Sequence, residues 1–183
     1  MVARDLRYVV LGEDTAHGNF VRRWLIAEGV EPRNIRLIPP PAGTGGAGDE
    51  HVKRKYPEEV AYYRRRANAQ RVALVIVIDA DRETVRHRQR QLDEALSENQ
   101  SPPRADPERI AILVPKRNIE TWLHTLPGTP ADEETDYKPL FVGKTAAACA
   151  AAAPHFQEFL QRTPSDTDLP SLAASRSEAA RLV

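Results

Sequence analysis

Four short, mostly apolar runs punctuate a chain that is otherwise rich in charge, and their form predicts strands. The runs are Tyr8-Val9-Val10-Leu11-Gly12, Ile35-Arg36-Leu37-Ile38, Val72 to Ile78, and Ile110-Ala111-Ile112-Leu113-Val114. The third is apolar at every position, as expected of a strand covered on both faces at the centre of a parallel sheet. Between the runs the apolar spacing is helical. Phe20, Val21, Trp24, Leu25 and Ile26 form one face, closed by Gly29. Residues from about 50 to 69 are strongly charged, with Val52, Tyr56, Val60 and Tyr63 spaced four, four and three as a second face. Pro57 falls inside that stretch, so the dependable part of this helix is expected to start near Pro57. A charged helix is expected from about 82 to 98, and Ser101-Pro102-Pro103 breaks the chain before the fourth run. Pro115-Lys116-Arg117-Asn118 then leads into a short helix carrying Ile119, Glu120, Trp122 and Leu123.

Strands alternating with helices imply βαβ units with right-handed crossovers. The expected fold is α/β: a Rossmann-like parallel sheet of about four strands flanked by helices, over residues 1–126, with a linker and helical C-terminal extension over 127–183. Two proline-rich interruptions fit this plan. Pro39-Pro40-Pro41 stops the second strand, and the glycine-rich stretch from Ala42 to Gly48 is expected to be a mobile loop. In the extension, residues 145–153 are nearly all alanine and favour a helix, which Pro154 is expected to interrupt before Phe156, Phe159 and Leu160 dock the next turn. A last helix is expected over 170–182.

Composition narrows the function classes. Lys plus Arg and Asp plus Glu both count 26, so there is no global pull toward polyanions, and any such binding has to come from local patches. Arg64-Arg65-Arg66 and the group Arg82, Arg86, Arg88 and Arg90 are two such patches, and solvated helix faces are the plainer account of each. The single cysteine, Cys149, excludes a disulfide framework and a cysteine-based zinc site, and in its alanine run it is expected to pack as a small hydrophobe. No segment has the length and hydrophobicity of a membrane span, and Met1-Val2-Ala3-Arg4-Asp5 leads directly into strand-like sequence; the expected location is the cytoplasm.

The acids at the ends of the first and third runs carry the chemistry. Glu13 follows Gly12, and Asp79 and Asp81 follow Ile78. In open α/β sheets the strand C-termini form the edge where ligands bind, so these three residues, Lys116 and Glu120 are expected to converge. Residues two apart on a strand share a face, which lets Asp79 and Asp81 point into one space if the extended geometry persists. Oxygen clusters of this kind suit Mg²⁺ or Mn²⁺. Glu13, Asp79 and Asp81 are the metal-ligand candidates, and Glu13, Lys116 and Glu120 the catalytic ones. Plainer roles stand beside these: capping of a following helix for Asp79 and Asp81, a surface cation for Lys116, and pairing with Lys116 for Glu120.

In these residues the chain resembles the TOPRIM family, the metal-dependent domain of topoisomerases, primases and several nucleases. The family's Glu after its first strand matches Glu13, its Asp-x-Asp after the third matches Asp79-Ala80-Asp81, and the likeness covers roughly residues 5–125. The segment Val114-Pro115-Lys116-Arg117-Asn118-Ile119-Glu120-Thr121-Trp122 is similar to the one after the fourth strand in small TOPRIM-like proteins related to overcoming-lysogenization-defect nucleases. The resemblance implies Mg²⁺- or Mn²⁺-dependent hydrolysis of nucleic-acid phosphodiesters, in DNA or RNA, and a place in a defence system. One departure is Asp14, where the family carries a small residue; a helix cap is the favoured role for it. At 183 residues the chain fits a stand-alone nuclease better than a topoisomerase or primase.

Two other classes fit the same acids. A receiver-like or phosphatase domain would use Glu13, Asp14 and Asp79 as an acidic pocket with Lys116 nearby. A catalytically inactive regulatory subunit would work with an ATPase partner, and a homo-oligomer is compatible with every reading. Gly143-Lys144-Thr145 is not a P-loop, because Lys138 stands where its first glycine belongs. The five histidines show no ligand spacing; His17 lies close enough to Glu13 to reach the site, but a surface role near the helix start is the favoured expectation.

Overall fold

The computed structural model describes residues 1–40, 48–67 and 70–183; most of the glycine-rich stretch expected to be a loop, through residue 47, lies outside them. Four strands, β1 (Arg7–Gly12), β2 (Ile35–Ile38), β3 (Val72–Val77) and β4 (Ile110–Leu113), form one sheet in the order β2-β1-β3-β4. All neighbours run parallel, with Arg7 opposite Val72 and Leu74 opposite Ile110 fixing the register around β3. The chain leaves β1 toward β2 on one side and resumes at β3 on the other, so the C-terminal ends of β1 and β3 flank the point where the winding reverses.

Both faces of the sheet are covered, which explains why the strand runs lack a polar period. Tyr8, Val10, Val75 and Leu113 point to one side, where α1 (Thr15–Ala27), α4 (Ile119–Thr125), α5 (Thr145–Gln161) and α6 (Pro170–Ala180) lie. Val9, Leu11, Leu74, Ile76 and Ile112 point to the other, against α2 (Gly48–Ala67) and α3 (Val85–Glu98). The expected α/β sheet of four parallel strands flanked by helices is the fold found.

Two helices run through prolines expected to limit them. α2 begins at Gly48 and continues past Pro57, with Val52, Tyr56, Val60 and Tyr63 all buried. Proline costs a helix one hydrogen bond and some bending, but burial of the two large side chains ahead of it holds the first half of the helix on the sheet. α5 likewise continues past Pro154. Ala150, whose carbonyl loses its helical donor, is exposed, so water can take that place.

The small side chains of α5 let it lie close against α1, with Ala152 and Ala153 buried. Phe156 then enters an aromatic group, its ring centroid 5.3 Å from Phe20, 5.1 Å from Trp24 and 5.5 Å from Trp122. Cys149 is buried in the same layer, as expected. From α6, Glu178 accepts a hydrogen bond from the Ile112 backbone at 2.7 Å and pairs with Arg104, which itself donates to the Ile110 carbonyl at 2.9 Å.

Candidate metal centre

Glu13 directly follows β1, and its Oε2 accepts a hydrogen bond from the Asp79 backbone at 3.1 Å, which ties the two strand ends together. Asp14 caps α1: its Oδ1 accepts from the Ala16 and His17 backbones at 2.8 and 3.1 Å. The cap turns the first helical turn inward and carries the His17 ring to the sheet edge. There Nδ1 lies 2.7 Å from Asp14 Oδ1 and Nε2 2.9 Å from Asp79 Oδ1. His17 is fully buried and Asp79 is 1 % exposed. One ligand atom from each of Glu13, His17 and Asp79 lies within 4.8 Å of the others, close enough to hold a metal ion.

With a carboxylate at each ring nitrogen, the arrangement favours a doubly protonated imidazolium. Burial works against that proton, but the charge of Asp79 and the hydrogen bonds to both acids outweigh it and raise His17 well above its ordinary pKa. Partial burial likewise opposes ionisation of Asp14, yet its bonds with His17 hold it below the usual carboxylate range. Burial, followed by the charge of Asp79, pushes Glu13 up to about 7.

Two glycines make the close approach possible. A Cβ on Gly12 would stand 2.8 Å from His17 Cβ, and one on Gly48 would stand 2.4 Å from Glu13 Cγ. The backbone at the start of α2 therefore packs directly on the Glu13 side chain.

The other expected residues take different places. The extended geometry does not persist past Asp79: Asp81 has φ 54°, and its carboxylate pairs with Arg88 at 3.1 Å instead of joining the three ligand atoms. Burial and the charge of Asp79 nonetheless raise its pKa. Lys116 donates to the Glu83 carbonyl at 2.7 Å and so braces the loop after β3. Glu120 is buried at the start of α4, Oε2 has no partner among the described residues, and burial, with the charge of Asp79 adding to it, raises its pKa. It does not pair with Lys116.

His17 and Lys138 are the additions. Of the two places open to His17, the site is the one it takes and not the favoured surface, because Asp14, three residues earlier, caps the helix with the same oxygen that holds the ring. That Asp-x-x-His spacing at a helix start was the available signal. Lys138 arrives from a 3₁₀ turn, Lys138–Phe141, in the C-terminal region. Partial burial lowers its pKa, but the charges of Asp79, Glu120, Glu13 and Asp14 prevail and raise it. No sequence pattern marks it. Lys138 and Asp81 line a cleft of about 380 Å³ together with Arg82, Glu83, Arg117 and Asp136.

Comparison of the chain with protein-family models, with curated proteins and with solved structures gives no match in any of the three. Among the described residues, no helix is long and apolar enough to cross a membrane.

Proposed function

We propose that the protein is a divalent-metal-dependent phosphodiesterase acting on nucleic acid, a nuclease of the TOPRIM type. The observation that carries this reading is the meeting of Glu13, His17 and Asp79 where the sheet reverses its winding. A divalent cation at this position would offset charge on a phosphate and lower the pKa of a bound water. An imidazole beside two carboxylates suits a first-row ion such as Mn²⁺ better than Mg²⁺.

The chain's own groups have separable roles. Glu13, Asp79 and, once the cation displaces its Nε2 proton, His17 would hold the cation, while Asp14 orients the His17 ring through Nδ1, as carboxylates behind metal-binding histidines do. Glu13, with a pKa of about 7, exchanges its proton near neutrality and suits the base that takes a proton from the attacking water. Lys138, Arg117 and Arg82 set positive charge along the neighbouring cleft, where a phosphate would lie. Glu120 is the remaining proton carrier beside Asp79. The near-complete burial of Asp79 and its bond to His17 give a phosphoacceptor reading no support.

The test is incubation with labelled single- and double-stranded DNA and RNA in Mn²⁺, Mg²⁺ or chelator, beside Glu13→Ala and Asp79→Ala. Metal-dependent cleavage lost in both variants is expected. Cleavage that survives both would overturn the assignment, and metal binding without cleavage of any substrate would make the site that of a regulatory subunit needing a partner.

A further inference from the structure

We propose that the opposite edge of the sheet carries a second site, a cleft that binds the phosphate backbone of single-stranded nucleic acid. Arg7 opens β1, Arg33 lies in the 3₁₀ turn Pro32–Asn34 before β2, Arg36 lies on β2, and Arg66 ends α2. All four line one cleft of about 490 Å³. In a chain of zero formal charge this is a local concentration of cations. Within the cleft's immediate ion pairs, only Glu59 offsets it, through Arg36 at 3.0 Å. Among the described residues, Arg7 and Arg33 have no side-chain hydrogen bond or ion pair, which leaves their donors for a ligand.

Tyr62 organises the cleft. The Arg66 guanidinium lies 4.3 Å and that of Arg36 5.6 Å from the centroid of its ring. Cation–π contact of this kind uses no N–H donor, so beyond the bonds of Arg36 to Glu59 and of Arg66 to Gln70 at 3.4 Å each guanidinium keeps further donors for phosphate oxygens. Flat guanidinium and aromatic faces also stack unpaired bases, which double-stranded nucleic acid does not offer. Arg36 is 55 % exposed, so the cleft is an open surface suited to a passing polymer and not an enclosed pocket for a small anion.

The choice of nucleic acid rests on the nuclease reading above, and the geometry relates the two sites. From Arg7 to Glu13 is six residues along β1 and its end, about 20 Å at the strand rise. A stacked single strand covers that distance in about six nucleotides. The cleft would thus hold the strand away from the scissile bond.

The test is fluorescence anisotropy with labelled 20-nucleotide single-stranded DNA and RNA in chelator, where cleavage is silent. Failure of binding and failure of metal-dependent cleavage are then read separately. Arg7→Glu/Arg33→Glu is compared with Arg86→Glu/Arg90→Glu on α3, which makes the same charge change elsewhere, with circular dichroism confirming the fold of both. The expected result is affinity at least tenfold weaker for the cleft pair and under twofold weaker for the control, with the salt dependence of binding reduced by about 1.4 in log–log slope. Tyr62→Ala is expected to weaken binding severalfold. Absence of binding by the wild type, an equal loss in the two charge pairs, or equal competition by inorganic tripolyphosphate at matched charge would overturn the proposal.

Discussion

Replacing Glu13 with Gln is expected to make the protein more stable while removing its metal binding. The Glu13 carboxyl titrates near 4.5 when exposed and near 7 in the fold, chiefly because it is buried and secondly because Asp79 is charged. The folded chain therefore retains a proton that the unfolded chain releases, and stability falls as pH rises from about 4.5 to about 7. At about 1.4 kcal/mol per pKa unit, the strain reaches about 3 kcal/mol at pH 8 and about 1 kcal/mol at pH 5. Gln has no proton to lose, and its amide oxygen can still accept the Asp79 N–H that Glu13 accepts at 3.1 Å. Urea unfolding in chelator should then show Glu13→Gln more stable than wild type by about 2–3 kcal/mol at pH 8 and by about 1 kcal/mol at pH 5. Mn²⁺ at a hundred times its dissociation constant should add about 2.7 kcal/mol to the wild type and nothing to the variant. A variant no more stable than wild type at pH 8, or a gap that does not change with pH, would refute the reasoning.

Gly48→Ala should weaken metal binding at least tenfold by calorimetry although no ligand is changed, because its methyl would stand 2.4 Å from Glu13 Cγ and 2.6 Å from the Glu13 carbonyl oxygen. Unaltered affinity would mean that Glu13 can move freely. Among the described residues, His17→Ala removes the only hydrogen-bonded cation beside a carboxylate that is 1 % exposed, and should cost about 3–5 kcal/mol in denaturant unfolding at neutral pH. Asp14→Asn touches a side chain that is 51 % exposed, so it should cost under about 1 kcal/mol of stability while weakening metal binding about 10–100-fold; a stability loss as large as that of His17→Ala would contradict the division of roles. Glu178→Ala leaves both Arg104 and the Ile112 N–H without their partner and should cost about 3–5 kcal/mol, with Glu178→Gln milder; a cost below about 1 kcal/mol would show that water replaces the carboxylate.

The sheet was legible in the apolar runs because strands covered on both faces need no polar positions, and Val72 to Ile78 has none. The meeting of Glu13 and Asp79 followed from strand order and direction alone. What escaped depends on single backbone angles and on distant segments. Asp81 shares a spacing with Asp79 that would align them in a strand, but its φ of 54° turns it to Arg88, seven residues further along the chain. His17 looks like a surface residue until the Asp14 cap is seen to hold both the helix and the ring. Lys138 comes from a loop with no periodicity to read. Helix limits at Pro57 and Pro154 were misplaced for one reason: local propensity counts the lost hydrogen bond, while burial of Tyr56 and of Phe156 is decided by partners far along the chain.

The contacts between α6 and β4 have a consequence for assembly. Glu178 receives the outward Ile112 N–H and Arg104 fills the outward Ile110 carbonyl, so two side chains imitate the next strand of the ladder. They act as a chain terminator for the sheet: a strand from another molecule approaching β4 finds these donors and acceptors already taken. Among the described residues no side chain stops the edge at β2 in this way, and Arg36 lies on it. Any growth of the sheet by strand addition is thereby steered to the side of the molecule where the arginines gather, so a protein partner that adds a strand would meet the arginine-lined cleft as it did so.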